Sequence, residues 1–163
     1  GKPILSFEVN KDYKTSDIWR CELRTGLDMI ADSLGKERYP QHDIIKPKHN
    51  IAAMRKSTLD AVGELCKDQI AKSISCIRKK QNVTQYIYSY YEYYTDGYAK
   101  GNYSFVYLRT HSDLKTITDT ILDSDYQLVC INDSGSVKDY PRTRYLLQQC
   151  FEKKFPVKSK YEL

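Results

Sequence analysis

Short apolar runs alternate with helix-length amphipathic segments along the last third of the chain. Residues 103–108 and 126–131 are rich in aromatic and β-branched side chains, which is typical of strands. Between them Ser112 or Asp113 can cap a helix with apolar residues at helical spacing, and residues 137–154 have the length of a second helix. Strand, helix, strand and helix with short connections predict a parallel βαβα unit.

Helical spacing dominates the first two-thirds of the chain. Residues 1–15 have an extended or loop-like pattern, after which Ser16 or Asp17 can cap a helix that ends at Gly35. Residues 36–50 contain two prolines and two histidines and are interpreted as a connecting loop.

Two further helices are predicted before the strand-rich part. One begins near Asn50 and carries Met54, Leu59 and Val62 on one face. After a short helix and a turn in residues 67–81, the other begins with Asn82 as its cap and ends at Asp96-Gly97.

Six tyrosines fall between positions 86 and 94 of this last helix. Half-buried tyrosines with hydrogen-bonded hydroxyls are the favoured interpretation, although aromatic rings beside basic residues can also stack on bases or sugars. A strand over residues 86–94 stays open as an alternative, because tyrosine also favours sheets.

The pattern predicts an α/β fold for residues 1–163, taken as a single domain. Its helical N-terminal two-thirds is expected to pack on the small parallel βαβα sheet at the C-terminal end. The chain has a mass of 19.1 kDa, so it can bury a substantial core. It begins at Gly1 rather than at a methionine, and we therefore expect it to belong to a longer protein.

The net charge and the cysteine content limit the classes of ligand and of protein that fit this sequence. The net charge of +5 suits a phosphate-bearing ligand, an acidic polymer or nucleic acid, or is a mildly basic solvated surface. The five cysteines have no paired spacing with each other or with histidine that suits zinc, and are interpreted as reduced, buried residues of a cytoplasmic protein. No apolar run approaches the roughly 20 residues of a membrane span.

His49 and Arg78 are the first two candidate functional residues. His49 directly precedes a predicted helix, whose N-terminus favours a neutral imidazole that can accept a proton. Arg78 lies just before Asn82, where a guanidinium can hold a phosphate through two parallel hydrogen bonds. The alternatives are a capping or solvated histidine and a surface arginine.

Asn132 and Asp133 follow the second apolar run. The carboxyl end of a strand in an open α/β sheet is where such sheets bind ligands, and these side chains can coordinate a hard cation or hold a sugar hydroxyl. The sequence Asn-Asp-Ser-Gly is also typical of a turn, which stays open here.

The order of these motifs resembles the Stealth family, which includes bacterial sugar-phosphate transferases of capsule synthesis. The last block of that family has a strand ending in Asn-Asp, a helix, and then Phe-Pro-x-x-Ser-x-Phe-Glu. This chain has Asn132-Asp133, then Phe155-Pro156, Ser159 and Glu162, with Tyr161 at the usual Phe and Ser134 where a second Asp is often found. An upstream histidine, an arginine about one long helix later and an aromatic helix ending near glycine match His49, Arg78 and residues 86–97. The resemblance covers the chain from about Lys46 onward.

The resemblance implies that hexose-1-phosphate moves from a nucleotide sugar to a sugar hydroxyl of a polysaccharide. It implies His49 and Arg78 as catalytic residues, Lys48, Asn82, Asn132 and Asp133 as substrate-binding residues, and Asp133 as a ligand of a divalent cation, Mg²⁺ being expected. It also implies that the chain is the C-terminal part of a larger catalytic domain and completes a larger Rossmann-like sheet. The acidic blocks expected upstream would then be supplied by an N-terminal half or by another subunit.

A non-catalytic α/β module that binds nucleic acid or a protein partner is the alternative function. It accounts for the charge and the tyrosines and treats the motif order as coincidence. Steeply salt-dependent binding to generic RNA or DNA would distinguish it, although nucleic acid is not the partner we expect.

Overall fold

The computed structural model describes residues 1–11, 17–47, 53–101, 103–110, 113–132, 137 and 139–160. The chain divides into two compact units, Gly1–Asn102 and Tyr103–Leu163. The helices are α1 (Ile18–Ser33), α2 (Lys56–Leu65), α3 (Lys67–Ser73), α4 (Tyr86–Tyr94), α5 (Leu114–Asp123) and α6 (Tyr140–Lys154). The strands are β1 (Ile4–Leu5), β2 (Phe7–Asn10), β3 (Ile44–Pro47), β4 (Ala99–Lys100), β5 (Phe105–Arg109) and β6 (Leu128–Asn132). The predicted α/β class is confirmed.

Helix α1 has the boundaries that its sequence predicts. The carboxylate of Asp17 accepts a hydrogen bond from the backbone N–H of Trp19 at 2.9 Å and caps the first turn. At the other end Gly35 has a φ of +63°, and the N–H of Lys36 donates to the carbonyl of Ala31 at 2.9 Å. This left-handed residue and backward hydrogen bond form a Schellman motif, in which glycine avoids the steric cost that a Cβ would bring.

Helices α1 and α4 cross closely at Gly26. A Cβ at this position would lie 3.1 Å from Cγ2 of Ile87 and 3.6 Å from the ring of Tyr90. The glycine that weakens α1 as an isolated helix therefore permits the contact that forms the core of the first unit. The buried residues of that core are Leu23, Leu27, Ile30, Ile44, Ile45, Val62, Cys66, Ile87 and Tyr90.

Among its described residues, the first unit also contains four short strands. One of them, β3, lies in residues 36–50, for which the sequence predicts a connecting loop, so that prediction is wrong there. Strand β3 pairs antiparallel with β2, and β1 pairs parallel with β4. Ile44 and Ile45 of β3 are buried, and the hydroxyl of Tyr90 donates to the carbonyl of Ile45 at 2.9 Å. Two apolar residues are too few to show alternation, so pairing with β2 and packing in the core with α1 and α4, rather than local pattern, stabilise this strand.

The structure of α4 decides whether the six tyrosines of residues 86–94 lie on a helix or on a strand. Residues 86–94 are helical, so the strand alternative is wrong. The ring of Tyr90 is fully buried, which raises the pKa of its hydroxyl and keeps that group a hydrogen-bond donor. The other five tyrosines are partly buried and pack against the same core, which confirms the predicted burial, but the buried hydroxyl of Tyr94 has no hydrogen-bond partner among the described residues.

Two predicted helix starts are wrong. Helix α4 begins at Tyr86 and not at Asn82, because the side chain of Asn82 is bonded within the preceding loop. Helix α2 begins at Lys56 and does not include Met54, since residues 53–55 are not helical and Arg55 has an extended backbone, with φ −84° and ψ 142°; Asn50 itself lies outside the described residues.

The second unit has the predicted βαβα order. Strands β5 and β6 are parallel, with Leu108 opposite Ile131. Helices α5 and α6 pack around a small core of Ile117, Ile121 and Cys150. The predicted capping residue Asp113 precedes α5, while α6 begins at Tyr140, three residues later than predicted.

The cysteine prediction is partly wrong. All five cysteines are free thiols, and Cys66 and Cys150 are buried as expected. Cys76 and Cys130 are exposed, because the first lies in a loop and the second on the open face of β6. Within the described residues no helix is both long and apolar enough to cross a lipid bilayer.

The cap at Asp113 predicts a pH-dependent stability. Its carboxylate accepts hydrogen bonds from the N–H groups of Thr116 and Lys115, which hold the pKa of Asp113 below its ordinary 3.8. A lowered folded pKa means that the ionised group stabilises the fold above pH 3.8, and that this stabilisation is lost as pH falls through the folded pKa. Asp113→Asn keeps an acceptor but cannot titrate. We expect its melting temperature to lie below that of the native chain at pH 7, with the difference disappearing on acidification; a difference independent of pH would contradict this.

Candidate functional site

Arg78 lies in the loop of residues 74–85 that connects α3 with α4. Its Nε donates to Oε1 of Glu22 at 2.6 Å, and its Nη2 pairs with Oε2 of the same carboxylate. Glu22 belongs to α1 and is 2% exposed, whereas the side chain of Arg78 is 58% exposed. One edge of the guanidinium is therefore held by a buried carboxylate while much of the group stays accessible to solvent.

The remaining edge of this guanidinium suits an anion. The hydrogen bonds that Arg78 donates to Glu22, and then the negative charge of Glu22, raise the pKa of Arg78, so the group stays cationic. Nε and Nη2 of Arg78 bond to Glu22, and among the described residues Nη1 makes no hydrogen bond, although the negative charge of Asp17 also acts on the guanidinium. A planar cation that presents two N–H donors on one edge is matched to the oxygens of a phosphate.

Asn82 braces the same loop. Its side-chain oxygen accepts from the N–H of Lys79, and its side-chain nitrogen donates to the carbonyl of Ser73 and, at 3.1 Å, to Oγ of Ser75. These contacts close the loop around Arg78 from both sides. Binding of substrate by Asn82 stays a prediction, and the role visible in the structure is to hold the loop.

A second buried glutamate meets an arginine in the same unit. Glu92 of α4 accepts from Nε of Arg55 at 3.0 Å and from Nη2 at 2.5 Å. The hydroxyl of Thr58 donates to the same carboxylate, so α2 and α4 are joined by an ion pair with an additional donor. The pKa of Arg55 is raised by its hydrogen bond with Glu92.

Sequence reasoning missed both glutamates, although a signal was present. Glu22 lies four residues before Gly26 and eight before Ile30, on the stripe of α1 that is buried. A carboxylate on an apolar stripe requires a partner, since an ionised group is not buried without one. The sequence indicates that need but not which of 26 basic residues meets it.

The backbone at Gly97 passes against the Arg55–Glu92 pair. A Cβ there would lie 1.9 Å from Oε2 of Glu92 and 2.8 Å from Nη2 of Arg55. We expect Gly97→Ala to lower the melting temperature, because the methyl group must displace a buried ion pair. Gly63→Ala in α2 is the matched control: nothing lies within 4 Å of its added Cβ, and stability should rise by about 0.5–1 kcal/mol. An unchanged melting temperature for Gly97→Ala would contradict the close packing.

Asn132 ends β6 in the second unit. It lies opposite Arg109 in the parallel pair, and its carbonyl accepts from the N–H of Thr110 at 3.0 Å. Its side chain is exposed, as expected for a residue at the ligand-binding end of a strand.

A groove of about 380 Å³ borders this strand. Its lining combines apolar residues of β6 and α6 with Arg144 and the threonines Thr110 and Thr143. The lining residues are Thr110, Val129, Ile131, Val137, Tyr140, Thr143, Arg144, Leu147 and Phe151. Asn132 is not among these lining residues, so the groove lies along β6 and α6 and not at the predicted site residue.

Three predicted site residues, Lys48, His49 and Asp133, lie outside the described residues. Arg78 and Asn82 share one loop of the first unit, and Asn132 belongs to the second unit. Within the described ranges no group of three or more histidine, cysteine or acidic residues could hold a metal ion.

Comparison with known proteins gives a partial match. No family model matches the chain. Two curated proteins of Streptococcus pneumoniae, each named capsular polysaccharide phosphotransferase WcwK, are 28% identical to it over 86 residues. That segment is 52% of this chain and 26% of each relative, so the match spans about a quarter of the relatives' length. Over about half of its length, this chain is similar to capsular polysaccharide phosphotransferases.

Proposed function

We propose that this chain is part of a transferase that moves hexose-1-phosphate from a nucleotide sugar to a sugar hydroxyl during synthesis of a capsular or other cell-surface polysaccharide. The observation that carries the proposal is its similarity to two capsular polysaccharide phosphotransferases. The Stealth-like order of His49, Arg78 and Asn132-Asp133 supports the same reaction class.

The proposed reaction exchanges one phosphorus–oxygen bond for another. The acceptor hydroxyl attacks the phosphorus attached to the sugar, and the bond from that phosphorus to the bridging oxygen of the diphosphate breaks. The nucleoside monophosphate leaves with the bridging oxygen and the bonding electron pair, and the sugar stays joined to the acceptor through a phosphodiester. His49 takes the hydroxyl proton and so acts as the general base of the reaction.

Arg78 would hold the diphosphate of the donor. The described geometry supports this role, because Glu22 fixes one edge of the guanidinium and leaves two N–H donors on the other. Phosphoryl transfer is catalysed mainly by positioning and by compensation of charge. A fixed cation that gains a second hydrogen bond as charge develops on the leaving oxygen provides both.

The remaining predicted residues would bind the substrates. We propose that Asn132, Asp133 and Lys48 contact the donor or the acceptor sugar, and that Asp133 is a ligand of a divalent cation, Mg²⁺ being the first to test. Such a cation supplies charge neutralisation to phosphate oxygens.

Isotope labelling separates this reaction from glycosyl transfer. The intact natural protein is incubated with an acceptor polysaccharide and a panel of nucleoside diphosphate hexoses that carry ³²P in the phosphate next to the sugar. We expect the label to enter the polymer, whereas label in the other phosphate should leave as nucleoside monophosphate. Release of both labels as nucleoside diphosphate would indicate glycosyl transfer and overturn the proposal. Absence of transfer from every donor would favour a binding module.

His49→Ala tests the general base. We expect the rate of transfer to fall about 10²- to 10⁴-fold with little change in donor affinity, because the imidazole is needed only when the hydroxyl loses its proton. His42→Ala is the control, since this exposed histidine lies outside the proposed site. A rate within a factor of two of the native rate would exclude His49 as the base.

A further inference from the structure

We infer that Glu22 is a positioning residue, which fixes the guanidinium of Arg78 so that its Nη1–Nη2 edge receives the phosphate groups of a diphosphate. The inference rests on the proposed function for the identity of that ligand. It is carried by the contacts of one buried carboxylate and by the way in which the loop around Arg78 is anchored.

Burial of Glu22 is not explained by stability. Removing a carboxylate from water is costly, and an ion pair in such a place often stabilises a fold no better than an apolar side chain of similar size. Glu92 shares its carboxylate between Arg55 and Thr58 and joins two helices of the core. Glu22 likewise directs both of its oxygens at one arginine, but its described side-chain hydrogen bonds are all with Arg78, whereas Glu92 also accepts from Thr58. Its described contacts therefore serve the orientation of that arginine.

The apolar residues on the N-terminal side of Arg78 in this loop do not anchor it, and Val83, which packs against the core, lies five residues further along the chain. Ile74 and Ile77 are 77% and 74% exposed, so neither packs into the core. The hydroxyl of Thr25 in α1 donates to the carbonyl of Lys80 at 3.2 Å and holds the backbone of the loop. The side chain of Arg78 is then oriented by Glu22, since a long flexible side chain otherwise samples many rotamers.

The geometry of the pair divides the guanidinium between two anions. The protein carboxylate takes Nε and one hydrogen of Nη2, and a ligand can take Nη1 and the other hydrogen of Nη2. Because α1 is a four-turn helix packed on the core, Glu22 holds the cation on a rigid element. A group fixed in this way loses less conformational entropy when the ligand binds.

The test measures equilibrium binding of inorganic pyrophosphate to the intact natural protein by isothermal titration calorimetry. We expect Glu22→Gln to weaken binding about 10-fold and Arg78→Ala to abolish it. Glu22→Asp keeps the charge one methylene further away and should recover part of the affinity. In an Arg78→Ala background, Glu22→Gln should change nothing further, because Glu22 acts only through Arg78.

Glu92→Gln is the matched control. It removes the charge of an equally buried, arginine-paired glutamate from the same unit, so it should lower thermal stability while leaving pyrophosphate affinity unchanged. Equal affinities of native protein and Glu22→Gln would overturn the inference, as would failure of the native protein to bind pyrophosphate. Glu22-dependent binding without any sugar-phosphate transfer would uphold the positioning role and remove only the proposed function.

Discussion

Replacing Arg78 with alanine is expected to lower the rate of sugar-phosphate transfer by about 10³- to 10⁵-fold, the range for loss of an arginine that compensates charge in phosphoryl transfer. Arg78→Lys should recover only a small part of the rate. It keeps the positive charge but cannot bond to Glu22 and to a phosphate through two separate edges. Steady-state rates with the labelled donor measure both effects.

Loss of fold must be separated from loss of chemistry in this experiment. Arg78→Ala leaves the buried carboxylate of Glu22 without its partner, so the double variant Glu22→Gln/Arg78→Ala is included to remove that charge. Its melting temperature should return toward the native value while its rate stays as low as that of Arg78→Ala.

Arg38→Ala is the matched control for Arg78. Arg38 also forms a two-bond pair with a carboxylate of α1, Asp32, but both partners are exposed. We expect this substitution to leave the rate of transfer unchanged. A rate for Arg78→Ala comparable to that of Arg38→Ala would exclude Arg78 from the site.

The sequence predicted elements whose signals are local. The Asp17 cap and Gly35 bound α1 because a carboxylate acceptor and a left-handed glycine act on the residues beside them. The parallel pair of β5 and β6 was predictable, since both runs are long enough to show β-branched and aromatic enrichment. Strand β3 could not be predicted, because its two buried isoleucines are stabilised by packing with α1 and α4 and by the bond from Tyr90, 45 residues away, to Ile45.

The candidate site also shows that local sequence patterns do not reveal contacts between residues that are distant in the chain. The sequence identified Arg78 by residue type and by its place before an expected helix start, but it assigned Asn82 as a helix cap. In the structure Asn82 instead holds the loop, since its amide satisfies two carbonyl or hydroxyl acceptors and one N–H. The partner of Arg78 lies 56 residues away, a separation at which local patterns carry no information.

Replacing Tyr90 with alanine is expected to reduce the free energy of unfolding of the first unit by about 3–5 kcal/mol, the cost of removing a large buried aromatic side chain. The ring is fully buried between α1 and β3 and lies against the space that Gly26 leaves open. Tyr90→Phe should cost only about 0.5–1.5 kcal/mol, since it removes the hydrogen bond to Ile45 and keeps the ring.

Denaturant unfolding followed by tryptophan fluorescence measures this change where it occurs. The 163-residue chain has a single tryptophan, Trp19, which packs against the core of the first unit. Tyr145→Ala is the control, because the same substitution at an exposed residue of α6 removes little packing and should shift the Trp19 transition by less than about 0.5 kcal/mol. If Tyr90→Ala shifted the transition no more than Tyr145→Ala, the packing of α4 on α1 and β3 would be wrong. The rigid support that this packing gives to Glu22 would then be lost as well.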